Sequence, residues 1–304
     1  MSSSSSSRGY LIALVATVLW SSTGVIISYL NRTYALPSLV LAFWRDLFLS
    51  LALGMVFLLF SRSRLSIPRD AVGFMVLFGF VVSVFNSAWT FSVQFNGAAV
   101  ATVFAFSSPA FTAILSHWLL KEKITLVKLV SLGLSIMGIV FISNALDASA
   151  WQANATGVFF GLATGLAFAF YNLMGKSASN RGLDSWTTLL YGFGIATVFL
   201  FFFNIAADLA FAKPVLGEIL WLGDSLPGWT ILILLGIGPT LGGFGLYTLS
   251  LKYLPATVSN LIATLEPILT AIWAFLFLGE TLSTSQIMGG ALVFAGVILL
   301  RLRD

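Results

Sequence analysis

The sequence predicts an all-α integral membrane protein whose ten transmembrane helices form two inverted five-helix repeats around a central cavity. Three observations predict it. Of 304 residues, 59% are hydrophobic and only 9% are charged, whereas soluble domains run near a quarter charged. Apolar stretches of about 20 residues, each able to cross a hydrocarbon core of about 30 Å at about 1.5 Å per residue, recur from end to end. Finally, the sequence repeats itself at an offset of 158 residues.

Backbone groups inside lipid must be satisfied within the segment, so the choice lies between helices and a closed barrel. The apolar runs lack two-residue alternation and are twice the length of a barrel strand, which selects helices. The predicted spans are 10–30, 37–60, 71–94, 98–120, 124–143, 155–176, 185–207, 228–251, 256–278 and 282–301. Before them, "MSSSSSSRG" reads as a short polar tail to which no structure is assigned, without the small-residue cleavage pattern of a removable signal peptide. The domain division is therefore a tail at 1–9, a first repeat at 10–143, an extracytoplasmic linker at 144–154 and a second repeat at 155–304.

Taken in order, span one carries Trp20 followed by Thr23 and Gly24, and span two carries Arg45 beside Asp46. Span three has Asn86 and, one turn on, Trp89. Span four has Ser107, Ser108 and Pro109, and span six groups Phe168, Tyr171 and Asn172. The gap at 208–227 is too short for a soluble domain, and its "EILWLG" suggests a short interfacial helix. Span eight concentrates Pro239 with Gly242, Gly243 and Gly245, a place to bend or to pack closely. Span nine holds Asn260 and the adjacent pair Glu266–Pro267.

Loop charge sets the orientation. With the N-terminus in the cytoplasm, the inner loops and ends hold twelve Lys or Arg, and the outer loops hold only Arg32 and Lys213. By the positive-inside rule both termini are cytoplasmic, and the net charge of +4 reflects this bias rather than nucleic-acid binding. Trp118, Trp151, Trp186, Trp221 and Trp229 fall at span ends, as in an aromatic belt.

At the 158-residue offset, 98–122 lies without gaps on 256–280 with nine of 25 positions identical, among them Pro109/Pro267, Thr112/Thr270 and Glu122/Glu280. Five helices is an odd number, so the second copy enters the bilayer from the opposite side. Such inverted repeats place a substrate site near the midplane between the copies, and an enzyme or receptor has no need of one. The pattern "P-x-x-T-A-I…E" in spans four and nine, with a glycine-containing last helix in each half, resembles the ten-helix drug/metabolite transporter superfamily, and within it the EamA-type exporters. The resemblance covers residues 10–301. It implies export of aromatic or other neutral amino acids across a bacterial inner membrane.

Pro109 and Pro267 each remove a helix hydrogen bond, and their pairing points to a bend or hinge, with Pro239 a third candidate. Intramembrane polar groups are rare and face the bundle interior. Trp20, Asn86, Trp89, Ser108, Tyr171, Asn172, Tyr247 and Asn260 are the candidate substrate contacts, since aromatic walls with a few amides suit a small amphipathic zwitterion. The same Asn and Ser residues also suit helix–helix hydrogen bonding. Glu122 and Glu280 read as caps of the fifth and tenth helices. Glu266 has three competing roles: a proton carrier, a partner for a substrate ammonium, or a structural partner of Arg45 or of a freed backbone group. Arg45 can snorkel outward or meet a carboxylate inside. The small residues of spans five and ten ("GLSIMG", "GGALVFAG") serve either internal packing or a dimer contact, so monomer and homodimer both stand.

Several functions are disfavoured. There is no Cys, and the single His117 is peripheral, so neither a metal site nor thiol or triad catalysis is expected. No Walker-type loop or other cofactor motif is present. The expected partners are a small amphipathic substrate and membrane lipid. A nucleotide-sugar or phosphorylated-metabolite exchanger needs deep Lys or Arg, of which only Arg45 is available. A lipid enzyme lacks an acid–base cluster, and a channel remains open.

Overall fold

The computed structural model describes residues 3–143, 155–278 and 283–303, and among these there is no strand. Eight helical stretches are long and apolar enough to cross a membrane alone, and two shorter apolar helices, Val103–Leu119 and Leu126–Ile142, bring the crossings to ten. The 144–154 linker, Trp151 and Glu280 lie outside the described residues.

The first crossing is broken. Helix α1 (Ser3–Ser21) includes residues 3–9 of the polar tail, and α2 (Thr23–Tyr34) follows after Ser22. The hydroxyls of Ser21, Ser22 and Thr23 each donate to a carbonyl three residues earlier, at 2.8, 2.7 and 2.6 Å. Such local bonds compete with the helical ladder. Helix α3 (Ser38–Phe60) is the second crossing.

Helix α4 (Val72–Ala105) holds 34 residues, too many for one crossing. Its two arms lie side by side. Phe85 stacks on Phe168 at 5.0 Å, and a Cβ on Gly165, one turn before Phe168, would strike Ser107 just past the end of α4. In a straight helix Phe85 and Ser107 would be about 33 Å apart. The chain therefore reverses within this element, and α5 (Ser108–Leu119) completes the fourth crossing.

Helices α6 (Leu126–Ile142), α7 (Ala155–Asn180) and α8 (Ser185–Ala210) are the fifth to seventh crossings. The eighth comprises α9 (Leu226–Leu235), one wide π turn at Gly236–Thr240 and α10 (Leu241–Tyr253). The ninth comprises α11 (Ala256–Ala263) and α12 (Glu266–Leu278), and the tenth is α13 (Thr284–Arg303). Pro239 sits inside the π turn, where a widened helix accommodates its missing N–H. The glycines around it pack closely: Gly236 lies on the Arg45 carbonyl and Gly243 on the Trp20 backbone.

Of the small residues of the fifth and tenth crossings, Gly138, Gly289, Gly290 and Gly296 serve internal packing. Gly138 of α6 and Gly289 of α13 face each other so closely that a Cβ on either would strike the other's carbonyl oxygen. Both termini share one end of the bundle, where the Arg301 guanidinium covers the Tyr10 ring at 4.5 Å and donates to Ser7 at 2.7 Å. At the opposite end, the expected "EILWLG" helix is instead a run of turns closed by three-residue hydrogen bonds. Indoles of Trp44, Trp221 and Trp229 donate to Ile219, Tyr34 and Gly223 carbonyls and bind these turns to crossings one, two and eight.

Candidate functional site

The two repeat-equivalent crossings are interrupted at equivalent residues. The gap between α4 and α5 is Phe106–Ser107, and that between α11 and α12 is Thr264–Leu265, again 158 residues apart. Each proline stands at the second position of the helix that follows, where its absent N–H would lack an intrahelical partner anyway. Pro109 and Pro267 therefore start new helices rather than kinking continuous ones, which corrects the mid-helix reading. Hydroxyls aid both breaks: Ser107 donates to Phe104 carbonyl at 2.5 Å and Thr264 to Leu261 carbonyl at 2.6 Å.

The break in the ninth crossing meets the break in the first. Thr270 donates to the Ser21 carbonyl at 2.9 Å, and the Trp273 indole donates to the Ser21 hydroxyl at 3.0 Å. The break in the fourth crossing instead faces α11. Asn260 donates to Thr112 at 2.8 Å and shares a weaker contact with Ser108 at 3.3 Å. One turn toward the terminal end, Ser116 and Thr257 bond at 2.9 Å. Ser108 and Asn260 were both candidate substrate contacts, and the structure brings them together.

Four other candidates also converge. Trp20, Tyr171, Tyr247 and Asn172 belong to one buried cluster with Phe168 and Phe244. The Trp20 ring lies 4.4 Å from Phe244 and 5.7 Å from Tyr247, and Tyr171 stacks on Phe168 at 5.8 Å. The phenol groups are satisfied internally: Tyr171 bonds Thr248 at 2.7 Å, and Tyr247 donates to the Asn172 side-chain oxygen. Asn172 in turn donates to the Phe168 carbonyl at 2.7 Å. In this conformation the aromatics fill the space between the repeats themselves.

Asn86 does not join them. It closes a ring with Arg45 and Asp46 in which Arg45 donates to Asp46 at 3.2 Å and to Asn86 at 2.6 Å, and Asn86 donates to the other Asp46 oxygen at 2.7 Å. All three are buried. Arg45 thus neither snorkels nor reaches Glu266; it is neutralised by its own neighbour, with the amide using both donor and acceptor. Two buried hydroxyls nearby, Ser87 and Thr240, have no described partner. Trp89 is half-buried and makes no hydrogen bond to a described residue.

Glu266 is the first residue of α12 and half-buried, and it makes no hydrogen bond or ion pair with any described residue. This removes both structural partners expected for it, Arg45 and a freed backbone group. The carboxylate stands at the positive end of α12.

Glu122 caps a different helix from the one expected. Its carboxylate accepts from Ala256 N–H at 2.8 Å and from the Thr257 hydroxyl at 2.9 Å, which places it at the start of α11, whereas Thr125 caps α6. The residue before α11 is Pro255, whose side chain has no acceptor, so a buried helix start there required one from elsewhere. That uncapped start was the available signal. Opposite it, the Lys176 ammonium donates to the Leu251 and Leu254 carbonyls, both at 2.8 Å, at the end of α10. Anion at a helix start and cation at a helix end follow the dipole rule.

Ten apolar crossings with paired helix breaks define the class: a multi-pass membrane protein. The EamA-like transporter family matches residues 7–144 and 155–302, and the chain belongs to that family. An uncharacterized transporter of Clostridium kluyveri is 22% identical over 96% of this chain and 92% of its own. The threonine/homoserine exporter RhtA of Escherichia coli is 27% identical over 82% and 79%. The S-adenosylmethionine uptake transporter of Rickettsia bellii is 25% identical over 96% and 91%. One solved crystal structure shares the fold with a TM-score of 0.76 and 19% identity, covering 97% of this chain and 98% of that one.

Proposed function

We propose that the protein is a secondary transporter that exports aromatic or other neutral amino acids, or similar small amphipathic metabolites, from the bacterial cytoplasm by alternating access. The observation that carries this reading is the pair of helix breaks at 106–107 and 264–265, one in each inverted repeat, beside a central aromatic and amide cluster. When the repeats part, Trp20, Trp89, Tyr171 and Tyr247 supply apolar walls, while Ser108, Asn172 and Asn260 supply donors and acceptors. Glu266, the intramembrane acid with no described partner, receives the substrate ammonium or a coupling proton. Asn86 contributes only if its ring with Arg45 and Asp46 opens. The breaks before Pro109 and Pro267, with the π turn at Pro239, are the hinges.

Two further observations support the substrate class. The names of the relatives RhtA and the Rickettsia transporter share an α-amino-acid head group, although one names export and the other uptake. Arg45, the one deep guanidinium among the described residues, is already neutralised, which disfavours nucleotide sugars and phosphorylated metabolites because these need free cations. The basic end with both termini is cytoplasmic in this reading.

Uptake of radiolabelled phenylalanine, tryptophan, tyrosine and threonine into proteoliposomes tests it. Saturable flux above empty vesicles is expected. No flux across a panel of neutral amino acids overturns the substrate reading, and flux that never saturates indicates a channel.

A further inference from the structure

At the end of the bundle that holds both termini, crossings four, five and nine leave a cleft between them. Ser116 and Thr257 form one wall, Lys123 and Lys128 another, and Leu129 and Leu132 lead away from it. The enclosed part of the cleft is small, about 10 Å³, or room for about one water, and the rest lies open at the mouth. Lys128 is only 7% exposed. Its ammonium makes a single hydrogen bond, to the Lys123 carbonyl at 3.0 Å, and no ion pair with a described residue. An ammonium has three donors, so two are unspent, and burying an uncompensated charge is costly. Lys123 stands exposed at the mouth, and the start of α6 adds its partial positive charge. Glu122, next in sequence, does not compensate Lys128, because its carboxylate is committed to the start of α11.

From Leu129 an exposed apolar stripe runs along α6 through Gly133 and Ile136. At Gly133 the space a Cβ would occupy is open, with nothing within 4 Å, so the stripe is a bare strip of helix. Nearby Trp118, 74% exposed, is an interfacial side chain at the same end. We propose that this cleft binds the phosphate of an anionic phospholipid, with Lys123 and Lys128 on the headgroup and an acyl chain along Leu129, Gly133 and Ile136. A free phosphate has the same headgroup chemistry, and the apolar strip favours the lipid. Because Thr257 lines the cleft and also bonds Glu122 and Ser116, an occupying lipid touches the contact between the two repeats.

Binding to the purified full-length protein in neutral detergent, followed by native mass spectrometry, tests the site with dioleoyl phosphatidylglycerol, dioleoyl phosphatidylcholine and inorganic phosphate. Each lysine near an anionic headgroup contributes about fivefold, so phosphatidylglycerol is expected to bind roughly 30-fold tighter than phosphatidylcholine. Lys123→Gln should cut that preference about fivefold, and the double Lys123→Gln/Lys128→Gln variant should abolish it. Arg62→Gln, an exposed basic residue after α3, should leave it unchanged. Should the double variant fold poorly, the exposed Lys123→Gln change decides alone. Equal binding of the two lipids, or an unchanged preference in Lys123→Gln, overturns the proposal. Inorganic phosphate binding as tightly as the anionic lipid replaces the lipid with a soluble anion. The measurement reads lipid binding and not flux, so its result is independent of the substrate assignment.

Discussion

Asp46 and Glu266 are both carboxylates within membrane-spanning segments, and they are held in opposite ways. Asp46 is fully buried and has both oxygens engaged, by Arg45 and Asn86. Glu266 is half-buried at the head of α12 and has no partner among the described residues. A buried acid with both oxygens hydrogen-bonded is part of the scaffold, because removing Arg45 or Asp46 leaves the other charge uncompensated. An acid whose surroundings provide no partner is free to bind something that comes and goes. The repeat sharpens the contrast, since Ser108 stands where Glu266 does in the second half. The shared mechanics of the two breaks therefore do not require the acid.

The comparison can be broken most directly at Asp46. Asp46→Ala should lower stability by about 3–5 kcal/mol, as expected for one partner lost from a buried pair, read from chemical or thermal unfolding in detergent. Replacing Arg45 and Asp46 together with Met and Leu should recover most of that loss. If Asp46→Ala is silent, the ring is not structural.

Glu266→Gln should do the reverse, with unfolding close to the wild type and any response of flux to a pH gradient lost. Ser108→Ala should keep that response. If the two variants behave alike, the asymmetry between the repeats has no functional meaning.

A smaller effect is expected at Asn260→Ala, about 1–3 kcal/mol, because the Ser108 and Thr112 hydroxyls lose their amide partner inside the bundle. The least is expected of Pro109→Ala and Pro267→Ala. At the second position of a helix each should shift stability by no more than about 1 kcal/mol. A loss near 3 kcal/mol in either would restore a different role for the proline.

The offset of 158 residues located the paired breaks, because proline and hydroxyl residues act through local backbone chemistry that a sequence displays. The arrangement of crossings was legible for the same reason. What escaped was set by contacts between distant residues. Glu122 resembles a cap for the helix beginning just after it, but Thr125 already fills that role. The carboxylate is used where Pro255 leaves α11 without a cap of its own. Spacing likewise cannot reveal that Asn86, a candidate contact, accepts from Arg45, 41 residues earlier. "EILWLG" has helical composition, yet the indoles of Trp44 and Trp221 fix it as turns.

The cap at α11 has a consequence for populations. Glu122, in the turn after α5, belongs to the first repeat and Ala256 and Thr257 to the second, so any motion that separates that turn from α11 must release the 2.8 and 2.9 Å bonds between them. Bonds to a charged group contribute about 1.5–3 kcal/mol each. Two of them make molecules latched at this end outnumber unlatched ones by roughly 10² to 10⁴. Whatever opens the protein there must bind the open form more tightly by that factor. The strength of one capping contact thus sets the least differential affinity that any substrate, proton or lipid must supply to open that end.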